Sequence, residues 1–109
     1  MECFRNQTSY INKQALTHNL NFIQDLVGKK VRFSSVIKGN AYGYGIEVFV
    51  PLAEDCGINH FSVFDANEAL RAYNALRQNS GIMIMGMIDM YELDWAIQFM
   101  RCDQFCVRA

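Results

Sequence analysis

Charge of one sign is what this sequence most plainly lacks. Ten Lys and Arg stand against 11 Asp and Glu, a formal net charge of −1, so no basic surface advertises a nucleic-acid partner. Long apolar runs are missing too. None approaches the roughly 18 residues of a membrane helix, and the N-terminal "MECFRNQTSY" has no apolar h-region of a signal peptide. Together these absences make the cytoplasm the expected compartment. Cysteine is sparse and unpatterned: the four, at 3, 56, 102 and 106, match no zinc or redox spacing. In a cytosolic chain they read as reduced, mostly buried thiols. No Asn-Gly or Asp-Gly turn joins two strand-like runs, so hairpins are not expected.

What is present is apolar matter in periodic order. Hydrophobic residues make up 51% of 109, which suits one globular domain of modest core and excludes disorder. "NKQALTHNLNFIQDLVG" carries apolar residues at 15, 16, 20, 22, 23, 26 and 27, a helical stripe with Asn12 as N-cap and Gly28 as the C′ residue. "VRFSSVIK" reads as a strand, being β-branched and aromatic. "EVFVPLAEDCG" reads as a helix ending at Gly57, with Pro51 tolerable only if regular structure starts near Val48. "NHFSVF" is a second strand and "ANEALRAYNALRQ" a helix, introduced by Asp65 and Glu68 at capping-box spacing. "GIMIMGMI" is a nearly all-apolar strand, as expected when both faces are covered. "YELDWAIQFM" is a helix with Asp89 and Glu92 at the same cap spacing, and "CDQFCV" is a fourth strand.

Strands beginning near residues 31, 59, 81 and 102, each followed by a helix except the last, predict an α/β fold with parallel strands and crossover helices. Two architectures fit. One is a small open sheet; the other is the first half of an eight-stranded barrel, which needs about 250 residues when complete. The end of the sequence just after a strand favours the barrel portion.

The stretch "SVIKGNAYGYG" then stands out. Lys38 lies at the carboxyl end of the first strand, where function gathers in parallel α/β folds. Alternation puts Ser34, Val36 and Lys38 on one face and Phe33, Ser35 and Ile37 on the other. The bulkier set suits packing against helices, so the Lys38 set faces the interior. A primary amine partly desolvated there has a lowered pKa and becomes a nucleophile towards aldehydes and a proton acceptor. Gly39, Ala41, Gly43 and Gly45 allow close backbone approach to a ligand, and Tyr42 and Tyr44 offer hydroxyls to a phosphate. A lysine at a strand end is, all the same, more often a solvated charge.

The same stretch closely resembles the cofactor-attachment signature of bacterial alanine racemase, typically V-x-K-A-N-A-Y-G-H-G. Weaker likenesses follow in family order: "INKQALTHNL" to the opening helix segment, "INHFSVFDANEALRAYN" to the second strand and helix, and "GIMIMGMID" to the third strand. The resemblance implies the N-terminal portion of a (β/α)8 barrel, with a β-rich C-terminal domain in the family that this chain lacks. It implies pyridoxal 5′-phosphate as cofactor, alanine as substrate, interconversion of its L and D forms, D-alanine supply for the cell wall, and a homodimer for the full-length parent. Lys38 matches the lysine that carries the cofactor and acts as acid/base on one face of Cα; Tyr42 matches the tyrosine that contacts the phosphate. Gly39 replaces the usual alanine and Tyr44 the usual histidine, and no role is assigned to Tyr44. The family's second acid/base tyrosine and the arginine facing the pyridine nitrogen lie beyond four strands, so residues 1–109 are expected to be a partial barrel, poorly stable and at most weakly cofactor-binding by themselves.

The remaining candidates have plainer readings. His18 sits beside the helical stripe and His60 begins a strand, neither with a ligand partner at metal spacing. Met83, Met85 and Met87 alternate to fill one sheet face. Asp65 and Asp89 cap helices, Lys29 and Lys30 follow a helix end where positive charge is favourable, and Trp95 anchors a helix to the sheet. Three functions compete: a pyridoxal-dependent alanine racemase, a relative with the same barrel and lysine but decarboxylase or aldolase chemistry, and a non-catalytic cofactor-binding or inert domain.

Overall fold

A computed structural model describes residues 11–99 and 105–107. Cys3, Cys102 and the expected strand start near 102 lie outside these, and so do the side chains of Trp95 and Cys106. The elements are α1 (Lys13–Val27), β1 (Ser35–Val36), a short turn Lys38–Tyr42, α2 (Ile46–Asp55), β2 (His60–Val63), α3 (Ala66–Ala75), β3 (Gly81–Ile84), α4 (Met90–Phe99) and β4 (Phe105–Val107). The strands form one sheet in the order β1-β2-β3-β4. Every neighbouring pair is parallel, with Ser35 opposite Phe61, Phe61 opposite Ile82 and Ile82 opposite Phe105. Parallel neighbours need a crossover, and a helix supplies one each time. No helix among the described residues is long and apolar enough to cross a membrane.

Local chemistry sets the helix ends. Asn12 Oδ1 accepts from Ala15 N at 3.1 Å, and Gly28 N closes α1 on Gln24 O at 2.9 Å. Asp89 and Glu92 form a full capping box, Glu92 N to Asp89 Oδ1 at 2.8 Å and Asp89 N to Glu92 Oε2 at 3.0 Å. Helix α2 ends in a Schellman motif: Gly57 N reaches Glu54 O and Ile58 N reaches Ala53 O, both at 3.0 Å. Gly57 takes φ 104 there, a conformation that side-chain-bearing residues avoid.

The core lies between the sheet and its helices. Ile37, Phe61, Val63, Ile82 and Ile84 are at most 1% exposed on the helix side of the strands. Each such side chain contributes about 1.5–3 kcal/mol by leaving water. Ala66, Ala69 and Ala72, on one stripe of α3, are equally buried, which brings that helix close to the sheet. Glu54 is 3% exposed, yet its carboxylate is fully engaged: it accepts from Arg77 N at 2.8 Å, Gln78 N at 3.1 Å and Ser80 Oγ at 2.6 Å, tying the end of α2 to the loop before β3.

Three expectations change. Helix α2 begins at Ile46 rather than near Val48 and carries Pro51 inside it. Ile46 N finds Asn40 Oδ1 at 3.0 Å and Phe49 N finds Gly45 O at 2.9 Å, so the first turn is anchored before the proline is reached. Strand β3 stops at Ile84, and Met87 is 94% exposed rather than packed. The chain turns off at Gly86, where a Cβ would stand 2.4 Å from Phe64 O. Along the α1 stripe Leu20 is buried, whereas Phe22 and Leu26 are 61% and 71% exposed; the described residues cover only part of that face.

Candidate functional site

The carboxyl end of β1 is built by a change of backbone hand. Ile37 N still donates to Ser62 O at 2.8 Å, so Ile37 belongs to the sheet and buries its side chain among the helices. Lys38 comes next. Gly39, Asn40 and Ala41 then take φ/ψ of 63/41, 56/47 and 57/45, and Tyr42 takes φ 55. This is one turn of left-handed helix, closed by Ala41 N to Ile37 O at 2.9 Å, Gly43 N to Gly39 O at 3.2 Å and Gly45 N to Asn40 O at 2.9 Å. Asn40, Ala41 and Tyr42 are not glycines, and the left-handed helix costs an L-residue roughly 1–2 kcal/mol each. Such a conformation persists only when its surroundings over-determine it.

Two side chains of α3 do so. Glu68 Oε2 accepts from Gly39 N at 2.7 Å and from Asn40 N at 3.3 Å, while its Oε1 accepts from Phe64 N at 2.9 Å. Hydrogen bonds to a charged group contribute about 1.5–3 kcal/mol each, so the two to the turn match its conformational cost in size. Arg71 Nη2 donates to Asn40 Oδ1 at 2.7 Å, the same oxygen that receives Ile46 N. Arg71 also grips Glu47 of α2 in two bonds, Nε to Oε2 at 2.9 Å and Nη2 to Oε1 at 2.6 Å. That hydrogen bonding holds the Glu47 carboxyl below the usual carboxylate range and raises the Arg71 guanidinium above its own.

Lys38 therefore opens the turn and Tyr42 closes it, both at the carboxyl rim of the sheet, and Tyr42 is 63% exposed. The alternation expected along the strand holds for Ile37, buried on the helix side, and for Ser34, bonded to Ser62 on the other face. The expected desolvation does not. Lys38 is exposed, because regular pairing ends at Val36 and the left-handed turn that follows returns Ala41, not Lys38, to the core. Tyr44 is also exposed, at 45%.

The other candidates fall elsewhere. His18 is exposed on α1. His60 is 9% exposed at the opposite end of β2, four residues and about 13 Å of strand from Phe64. Its Nδ1 pairs with Ser34 Oγ at 2.7 Å, which pairs with Ser62 Oγ at 2.6 Å. Burial, with the nearby Arg32 charge, pushes its pKa below the ordinary 6.5. A cavity of about 340 Å³ lined by Lys29, Arg32 and Asn59 lies at that same amino end of the strands, away from Lys38. Asp65 caps α3 through Glu68 N at 2.9 Å, as its spacing suggested. Sequence reasoning passed over Asn40 and Arg71 and took Glu68 for a cap residue alone; the available signal was its place just after the second strand, at the same end of the sheet as the lysine.

The donor set suits an aldehyde-bearing phosphate ester. A primary amine on an exposed rim can condense with the aldehyde, and a phenol four residues on can donate to the phosphate. The residues present fit pyridoxal 5′-phosphate in that sense.

Comparison with known proteins agrees in family and fold. The profile of the family "Alanine racemase, N-terminal domain" matches residues 11–105. The serine/alanine racemase of Enterococcus gallinarum is 37% identical over 78 residues, 69% of this chain and 11% of that protein. Alanine racemase 1 of Caldanaerobacter subterraneus subsp. tengcongensis is 43% identical over 56 residues, 51% of this chain and 14% of that protein. The crystal structure of alanine racemase from Oenococcus oeni superposes with a TM-score of 0.73 at 25% identity, over 87% of this chain and 25% of that one. The chain thus spans a quarter or less of each of these proteins.

Proposed function

Because the chain belongs to the alanine racemase N-terminal domain family, we propose that it forms the cofactor-holding part of a pyridoxal 5′-phosphate-dependent racemase acting on alanine. Its four parallel strands and their helices are the α/β portion of the family's barrel. The observation that carries the reading is Lys38, first residue of the "KGNAYGYG" turn at the carboxyl end of β1.

In this reading Lys38 Nζ would hold the cofactor through its aldehyde and would move a proton at one face of the substrate Cα. Tyr42 donates its hydroxyl to the phosphate and fixes the ring's position. When bound, the cofactor supplies a ring system that takes up the electron pair left on Cα. Racemisation needs a second proton-transfer group on the opposite face; by family resemblance it is a tyrosine of the C-terminal domain of a partner subunit, which makes the working assembly a homodimer. We place the enzyme in the cytoplasm, supplying D-alanine for cell-wall synthesis.

Borohydride reduction of the intact protein carrying this chain, after mixing with pyridoxal phosphate, tests the assignment. Peptide mass mapping is expected to find the pyridoxyl label on Lys38 and none in Lys38→Ala. A label on another lysine, or no label, overturns it. Racemisation assays of the intact protein on alanine and serine decide the substrate, serine being included because the Enterococcus gallinarum relative is named for both. Decarboxylation without racemisation would indicate the related barrel chemistry, and cofactor binding with neither would indicate a non-catalytic domain.

A further inference from the structure

We propose that Glu68 is a positioning residue for Lys38 and Tyr42: its carboxylate reaches from the first turn of α3 to the end of β1 and fixes the left-handed turn that directs both side chains to one rim. The inference rests on the cofactor-binding reading above and deepens it.

The hydrogen bonds of Glu68 are not those of a helix cap. In a capping box the third-position side chain returns to the N–H of the cap residue, and Glu92 does this with Asp89 at 3.0 Å. Glu68 stands at the corresponding position after Asp65, yet Oε1 goes to Phe64 N at 2.9 Å and Oε2 leaves the local segment altogether, reaching Gly39 N at 2.7 Å and Asn40 N at 3.3 Å. One carboxylate therefore joins the carboxyl ends of β1 and β2. The peptide units flanking Lys38 are then both fixed, Ile37 O by Ala41 N at 2.9 Å and Gly39 N by Glu68. The direction in which the Lys38 side chain leaves the backbone is set from both sides, while the side chain itself stays exposed. The turn needs this, since three L-residues in succession do not hold positive φ by their own preference. The second brace comes from the same helix: Arg71, one turn beyond Glu68, holds Asn40 Oδ1 at 2.7 Å.

The test uses Glu68→Ala and Glu68→Gln in the intact protein, with pyridoxal phosphate as probe. Three quantities are read: the rate at which borohydride fixes label on Lys38, the circular dichroism induced in the bound chromophore, and the melting temperature without cofactor. Glu68→Ala is expected to slow labelling by about tenfold to a hundredfold and to weaken the induced dichroism. Glu68→Gln, which keeps one acceptor oxygen for Gly39 N, is expected to recover part of both at a similar melting temperature. Wild-type labelling and dichroism in Glu68→Ala overturn the proposal. So does a loss that follows the melting temperature alone, with no recovery by glutamine. If Glu68→Ala does not fold, Glu68→Gln against wild type decides by the same readouts. A wild-type protein that takes no label on Lys38 sinks the cofactor reading itself; normal wild-type labelling with an indifferent Glu68→Ala sinks only this inference.

Discussion

Ala41 concentrates the physics of the site in one methyl group. It is 4% exposed and holds φ 57, so it combines burial with a backbone hand that L-residues avoid. A β-branched side chain there meets both objections. Ala41→Val is expected to destabilise the protein by about 2 kcal/mol, seen as a lower melting temperature; an unchanged one would mean that the turn is not left-handed in solution. Residues of this kind are where sequence reading falls short. The spacing of Lys38 and Tyr42 could be read directly, and so could the caps Asn12, Asp65 and Asp89, because a cap needs only its own side chain and an amide three residues on. The hand of residues 39–42 could not. Glycine at 39 and asparagine at 40 permit positive φ without requiring it, and what enforces it is a carboxylate 29 residues away from Gly39.

At the level of elements, two joints carry more than their size suggests. The first is Glu54, which binds α2 to the loop that feeds β3. Removing its carboxylate leaves Ser80, 1% exposed, and the amides of Arg77 and Gln78 without their acceptor. Glu54→Ala is expected to cost about 3 kcal/mol, measured by denaturant unfolding, with Glu54→Gln recovering part of it. The second joint is Gly86, whose N–H donates to Phe64 O at 2.9 Å. A Cβ there must push that carbonyl aside, so Gly86→Ala is expected to destabilise by about 1–3 kcal/mol and to displace the end of β2 beside Glu68. Element type and order were legible from hydrophobic period, because a strand covered on one face by helices repeats Val, Ile and Phe while an amphipathic helix repeats every third or fourth residue. Boundaries were less so. Pro51 argued for a later helix start, and the anchoring of Ile46 N by Asn40 overrides it; the run "GIMIMGMI" promised eight strand residues, and the regular strand covers four of them, with Met85 N and Gly86 N still bonded to the end of β2.

For the molecule as a whole, pH acts through His60. Its folded pKa is lowered by burial, with Arg32 adding to the effect, so the fold prefers the neutral ring. A base held neutral stabilises the protein above its unfolded pKa. Below about 6.5 the unfolded chain takes up a proton that the folded one refuses, and stability falls as pH drops towards the folded value. Melting temperatures measured from pH 8 to 5 are expected to decline through this window in the wild type and to decline less in His60→Gln. A parallel decline in both would assign the effect to other groups. The sheet order β1-β2-β3-β4 has a consequence of another kind. Each strand lies beside the one made just before it, and none has to slip between two already joined. During translation every newly emerging strand meets a completed neighbour, so the sheet can lengthen at one edge in step with the ribosome, without waiting for sequence still inside the exit tunnel.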